Sequence, residues 1–352
     1  MDSSFINDIR QPNDLKGISF SNYKKSDVKN EFIANLLNGK IESACYWAAE
    51  LVCAGHYLEL WENILYYCCK HIHLGNPKLV LYLEKRFELF KSIINSGQVL
   101  SQLDLRNNSN IRNLFAEVVS ILCMSIKKHS FEVIKINKIE EFDMTLMTER
   151  LKAPGDQYAR VFFLEDDPKA IFIPMNEFAY HICSESKNTV FACYWIEWIL
   201  EFETLCKKRK AVCMVERRPF VTVDLKLSRD LVWIIWDALF YNIKTLNNPF
   251  LNKTMDALFA LFSLHYTNAS CKKRRYMLYF AVSLCTEQAN LDVELVADKR
   301  KVELAVQNIN SIYEQIKKNE IKPGTDYLFS GLNDKQREFA KSMEKINLMN
   351  SI

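Results

Sequence analysis

Two runs of basic residues are the strongest candidates for chemistry in this chain. Cys206-Lys207-Lys208-Arg209-Lys210-Ala211-Val212-Cys213 is soon followed by Glu216-Arg217-Arg218-Pro219, and Lys272-Lys273-Arg274-Arg275 comes later. Between Glu203 and Arg218 six basic residues stand against two acidic ones, a local charge of +4. Clustered Lys and Arg neutralise phosphates or acidic protein surfaces, and with no base-reading motif such binding is sequence-independent and strongly salt-sensitive. The expected contacts to nucleic acid or to an acidic partner are therefore Lys207, Lys208, Arg209, Lys210, Arg217, Arg218, Lys272, Lys273, Arg274 and Arg275. The plainer reading of both runs is solvated surface. Lys272–Arg275 reads as the start of a helix, where positive charge opposes the macrodipole, and that favours a contact role.

Other reactive types are scattered. Cys206 and Cys213 lie near Cys193, Cys183 and His181 in sequence, but no paired CxxC accompanies them, so structural thiols are expected rather than zinc. His71 and His73 flank one residue, a spacing that chelates only from an extended segment, and a turn-packing pair is the better expectation. Glu165-Asp166-Asp167 reads as a solvated acidic turn rather than a cation site. There is no HExxH, GxSxG or GxxxxGK[ST]. The expectation is a protein that is not an enzyme, with no cofactor, metal or small-molecule substrate.

The elements that hold these residues repeat along the chain. Asn30-Glu31-Phe32 returns as Asn176-Glu177-Phe178, and Ala44-Cys45-Tyr46-Trp47 as Ala192-Cys193-Tyr194-Trp195, at offsets of 146 and 148. Leu60-Trp61-Glu62 corresponds to Ile235-Trp236-Asp237. Leu74-Gly75-Asn76-Pro77 and Phe87-Glu88-Leu89-Phe90 correspond to Leu246-Asn247-Asn248-Pro249 and Phe259-Ala260-Leu261-Phe262, both at an offset of 172. Leu122-Cys123 and Leu284-Cys285 close the series. Collinear matches of this kind imply a tandem duplication. Apolar residues recur at steps of three and four (Ile111, Leu114, Phe115, Val118, Val119, Leu122), which predicts helices, and the Asn-Pro pairs predict breaks that open new ones. The aromatic pair of ACYW is expected in the core.

This organisation predicts a polar arm over 1–27, a first helical copy over 28–130, a connector over 131–173, a second copy over 174–290 and a helical extension over 291–352. The second copy separates its tryptophans by 41 residues where the first has 14, an insertion of 27 at about 203–229. Within it Val221 to Leu227 alternates with period two, predicting a small β-hairpin that presents the basic residues. A second small hairpin is expected in the connector, around Glu165–Pro168. In the extension, Val302 to Ile316 predicts one amphipathic helix stopped by Lys322-Pro323-Gly324, with a charged helix following from about Asn333.

Composition agrees with helices. Eight glycines and eight prolines in 352 residues are far below the usual shares of about 7% and 5%, too few for a turn-rich β fold or a phosphate-cradling loop fold. The net charge of +3 is too balanced to imply nucleic acid by itself. The polar start MDSSFINDIRQPND has no signal-peptide pattern, and Leu231–Phe240 is too short to span a bilayer. With eleven unpatterned cysteines, this predicts an intracellular protein with reduced, buried thiols and no membrane association.

The run KIESACYWAAELVCAGHYLELWENILYYCCKHIHLGNPKL resembles the helical collar segment of clamp-loader-related AAA+ ATPases of the bacterial replication-fork-maintenance branch. The resemblance rests on Ala44, Tyr46, Trp47, Ala54, Gly55, Gly75, Asn76 and Pro77, with a fainter echo in the second copy. It implies an oligomerising collar without its ATPase motor, assembling with protein partners or with itself. The overall look also resembles proteins of large nucleocytoplasmic DNA viruses. The expectation is thus an all-α, duplicated, collar-like scaffold or adaptor of viral DNA-replication-type machinery, in host cytoplasm, viral factory or nucleus. The alternative is a structural virion protein, a minor capsid or core component.

Overall fold

The computed structural model describes residues 3–95, 103–137, 142, 148–322 and 334–351. Its helices begin with α1 (Lys25–Leu37), α2 (Ile41–Cys53), α3 (Tyr57–Tyr67), α4 (Lys78–Asn95), α5 (Ser109–Met124) and the single turn α6 (Gln157–Arg160). There follow α7 (Phe172–Ile182), α8 (Thr189–Lys208), α9 (Val232–Thr245), α10 (Pro249–Ser263), α11 (Asn268–Lys273) and α12 (Arg275–Thr286). The last are α13 (Lys299–Gln307), α14 (Ile309–Lys317) and α15 (Asp334–Ser351). The fold is all-α: among the described residues there is no strand, only an isolated bridge between Ile18 and Lys24. No described helix is long and apolar enough to cross a membrane.

The chain forms two compact units. One comprises Met1–Cys68, Tyr82–Ile126 and Glu294–Ile352, the other Cys69–Leu81 and Lys127–Val293. In the first, α1 and α2 are joined through Gly39, whose φ of +68° suits a residue without a side chain. The core is aromatic: Trp61 on α3 lies 5.2 Å from Phe87 and 5.9 Å from Phe90 on α4, with Phe115 of α5 at 5.6 Å. Helices α13 and α14 pack on α5 and α2 of the same unit.

The first residues are more than a polar arm. Ile6, Leu15 and Phe20 are fully buried. Ser19 and Ser21 donate to the buried Glu50 carboxylate, and Arg112 donates to Ser4 while lying 4.0 Å above the Tyr313 ring. The buried Glu50 and Arg112 are thus partnered, as desolvation of a charge requires. In ACYW, Ala44 and Cys45 are buried, whereas Tyr46 and Trp47 are half-exposed; Trp195 is fully buried.

The second unit is built around Trp195, Trp233, Trp236 and Tyr279, all buried. Trp236 of α9 lies 5.3 Å from both Phe259 and Phe262 of α10. Side chains start the helices: Asn188 caps α8, Asn248 caps α10 ahead of Pro249, and Thr267 makes a capping box with Ser270 for α11.

Three local expectations are corrected and a fourth is refined. Residues 211–224 form no strands, and 225–229 are turn; Val215 and Val221 are buried anchors, so the period-two alternation marks a fixed loop. The connector carries α6 and a 3-10 turn at Lys169–Ile171 in place of a hairpin, because Pro168 leads straight into the start of α7. The single helix expected at Val302–Ile316 is two helices broken at Asn308; the stop at Pro323 and Gly324, like Asn333, lies outside the described residues. The basic run at 272 both ends one helix and opens the next: Lys272 and Lys273 occupy the last turn of α11, where positive charge favours the dipole, while Arg274 is the N-cap of α12 and Arg275 its first residue.

Candidate polyanion-binding groove

Helix α8 runs its C-terminal turn alongside α11, and this brings the two basic runs together. Leu200, Glu203, Thr204, Lys207 and Lys208 of α8 line a groove of about 450 Å³ with Asn268, Ala269, Cys271 and Lys272 of α11. Lys210 has φ +54° and turns the chain back, so that the Ala211 amide donates to the Cys206 carbonyl at 2.9 Å. Lys207, Lys208, Arg209 and Lys210 are all exposed around this turn.

Beneath the rim lies a charged network. Lys207 Nζ donates to Glu203 Oε1 at 3.1 Å and Asp230 Oδ1 at 3.0 Å, and Tyr266 donates to Asp230 Oδ2. Burial and the neighbouring Asp230 charge push the Glu203 carboxyl above its ordinary range. Burial works against the charge on Lys207, but the two carboxylates outweigh it and hold its ammonium above the usual lysine value. Lys207 is thus an anchored cation.

Its neighbours divide in the same way. Lys272 approaches Glu201 at 3.5 Å, and Arg275 approaches Glu197 at 3.2 Å. Burial raises the Glu197 carboxyl, and Tyr279 donates to it. Among the described residues, Lys208, Arg209, Lys210 and Lys273 make no ion pair and stand exposed. These four are exposed cations whose charge no described carboxylate offsets.

Two of the ten candidates belong inside the protein. Arg218 is 1% exposed; it pairs with Asp167 at 2.5 Å and with Asp237 at 3.0 Å, and also donates to the Phe162 and Glu216 carbonyls. Asp167 is therefore not a member of a solvated acidic turn but the buried counter-ion of Arg218. Arg274 is buried and donates to the Phe262 and Leu264 carbonyls at the end of α10, as a cation suits a helix C-terminus. Arg217 lies apart from the groove, lining a cleft of about 580 Å³ with Phe220, Phe240, Tyr241 and Lys244.

No family model, curated protein or solved structure matches the chain. The groove has to be read from its own chemistry.

The remaining candidates resolve locally. Among the described residues no group of three or more His, Cys, Asp and Glu is arranged to hold a metal ion. Cys193 is buried, and His181 faces Glu177 at 3.5 Å and Ser186 at 3.1 Å. His71 and His73 do not converge. His71 Nδ1 meets His129 Nδ1 at 3.1 Å, while His73, at φ +49°, is buried 4.9 Å from the Phe280 ring. Burial pushes the His73 imidazole down to about 4, so it is neutral at pH 7. Sequence reasoning missed the Glu203–Lys207–Asp230–Tyr266 network; the i,i+4 spacing of Glu203 and Lys207 was its one visible signal.

Proposed function

We propose that this chain is a non-enzymatic helical scaffold or adaptor of DNA-replication-type machinery, built by tandem duplication, whose second copy binds a polyanion. The ligand is the phosphate backbone of nucleic acid or an acidic protein segment. The observation that carries this reading is the meeting of two sequence-distant basic runs at one groove, lined by Lys207, Lys208 and Lys272, with Arg209, Lys210 and Lys273 exposed next to them in the chain. Such a surface offers charge without hydrogen-bonding groups set to read base edges, which suits sequence-independent contact.

The duplication is supported by the helix order. The NEF and ACYW segments lie on α1 and α2 and again on α7 and α8. In each set the following tryptophan, Trp61 or Trp236, packs on the Phe pair of the helix that opens after an Asn-Pro break. The insertion between α8 and α9 then supplies what the first copy lacks, a basic turn. The collar-like segment at 40–80 fits an assembling role for the first copy, with protein partners or further copies of the chain.

Retention on immobilised DNA without ATP, compared with retention on poly-glutamate, tests the reading and separates its two ligands. The expected result is binding to at least one that is lost when Lys208, Arg209, Lys210 and Lys273 are changed to Glu in a folded protein. Undiminished binding by that variant, or none by the wild type, refutes it. Abundance in purified virus particles without polyanion binding would favour the structural virion reading.

A further inference from the structure

Of the eleven cysteines nine are buried, and only Cys183 and Cys206 are part-exposed. Cys206 sits in the last turn of α8 with four cations directly after it. The left-handed Lys210 and the Ala211-to-Cys206 hydrogen bond fold the chain back and return Cys213 towards Cys206, close enough for the two thiols to influence each other. Beyond Cys213, the Val215 amide donates to the Arg229 carbonyl at 2.9 Å and Val215 is buried, which fixes the returning strand of the loop.

From this juxtaposition we infer that Cys206 and Cys213 are a dithiol modification site, which a small-molecule disulfide such as oxidised glutathione converts into an intramolecular disulfide across the basic turn. The exchange balances without a further reactant. The Cys206 thiol gives up its proton, and its sulfur attacks one sulfur of the oxidant, releasing the first glutathione thiolate. Cys213 then gives up its proton and attacks the Cys206 sulfur of the mixed disulfide, releasing the second. One disulfide is broken, one is formed, and the two protons leave on two glutathione thiols.

The roles follow from exposure. Cys206 is the attacking sulfur because it is the part-exposed member of the pair and can be reached by the oxidant. Cys213 is the resolving sulfur: burial, then the neighbouring Cys206, push its thiol up to about 12. When Cys213 is absent the mixed disulfide on Cys206 has no resolving thiol beside it and accumulates. The finished bond closes the turn carrying Lys207–Lys210, which is already folded back. This inference is independent of the polyanion reading, because it is read in thiols and not in ligand retention.

The test treats the full-length native protein with oxidised glutathione at mildly alkaline pH, then alkylates it in denaturant and maps peptides by mass spectrometry. The expected result is loss of two of the eleven alkylatable thiols and a peptide joining Cys206 to Cys213. C213S, checked for native far-UV circular dichroism, is expected to hold one glutathione on Cys206, and C206S to hold none at Cys213. Eleven alkylatable thiols after oxidation, or pairing of Cys206 with Cys183 instead, would overturn the assignment.

Discussion

Arg218 shows how far a side chain's role can depend on residues remote in sequence. Its neighbours Glu216, Arg217 and Pro219 give it the look of a surface basic residue, and nothing local distinguishes it from Arg217. Its role is set by Asp167 and Asp237, brought to it by the fold. Arg218→Ala leaves Asp167 buried without a counter-charge, and a loss of about 3–5 kcal/mol in unfolding free energy is expected from chemical denaturation. Arg217→Ala, at an exposed position, is expected to change stability little. His73 carries a second residue-level expectation. It is buried and neutral, its value lowered to about 4 by burial, with Lys128 adding to and Glu287 opposing that effect. The unfolded chain takes up a proton at His73 below about pH 6.5 while the native state does not, so stability falls as pH drops from there towards 4. His73→Asn, which tolerates the left-handed backbone, is expected to remove about 2 kcal/mol of the stability difference between pH 7 and pH 5 in urea titrations.

At the level of elements, the helices were legible because two signals agreed: step-three and step-four apolar spacing, and Asn-Pro breaks. Asn248 caps the helix that opens after its break, and the structure adds caps at Asn188 and Thr267. Asn188→Ala is expected to cost about 1 kcal/mol, measured by thermal or denaturant unfolding, with Asn188→Gly costing less. The loops were not legible in the same way. Alternation from Val221 to Leu227 meets the strand rule, yet a strand needs a pairing partner, and this segment instead buries Val221 while Phe220 packs on Phe240 and Phe259. The helix start expected at the 272 run falls at Arg275, but the short α11 that the run also ends went unseen, because six residues are too few to show a period. The amphipathic pattern at 302–316 continues across Asn308, so sequence periodicity could not separate α13 from α14.

For the whole molecule the decisive property is where charge sits. A net charge of +3 over 352 residues conceals an exposed cationic turn beside a second basic run, with buried carboxylates fixing Lys207 below. The sequence displayed both runs but not their meeting, nor which members are exposed. The direct measurement is fluorescence anisotropy of labelled DNA across a salt series, with the wild type and a variant carrying Glu at 208, 209, 210 and 273. Each phosphate neutralised contributes about −0.9 to the slope of log affinity against log salt on duplex DNA. The account expects wild-type binding with a slope of about −3 to −4, and a variant that is folded, at least about tenfold weaker and markedly flatter in slope. Wild-type affinity that ignores salt, or a folded variant that binds like the wild type, would contradict it.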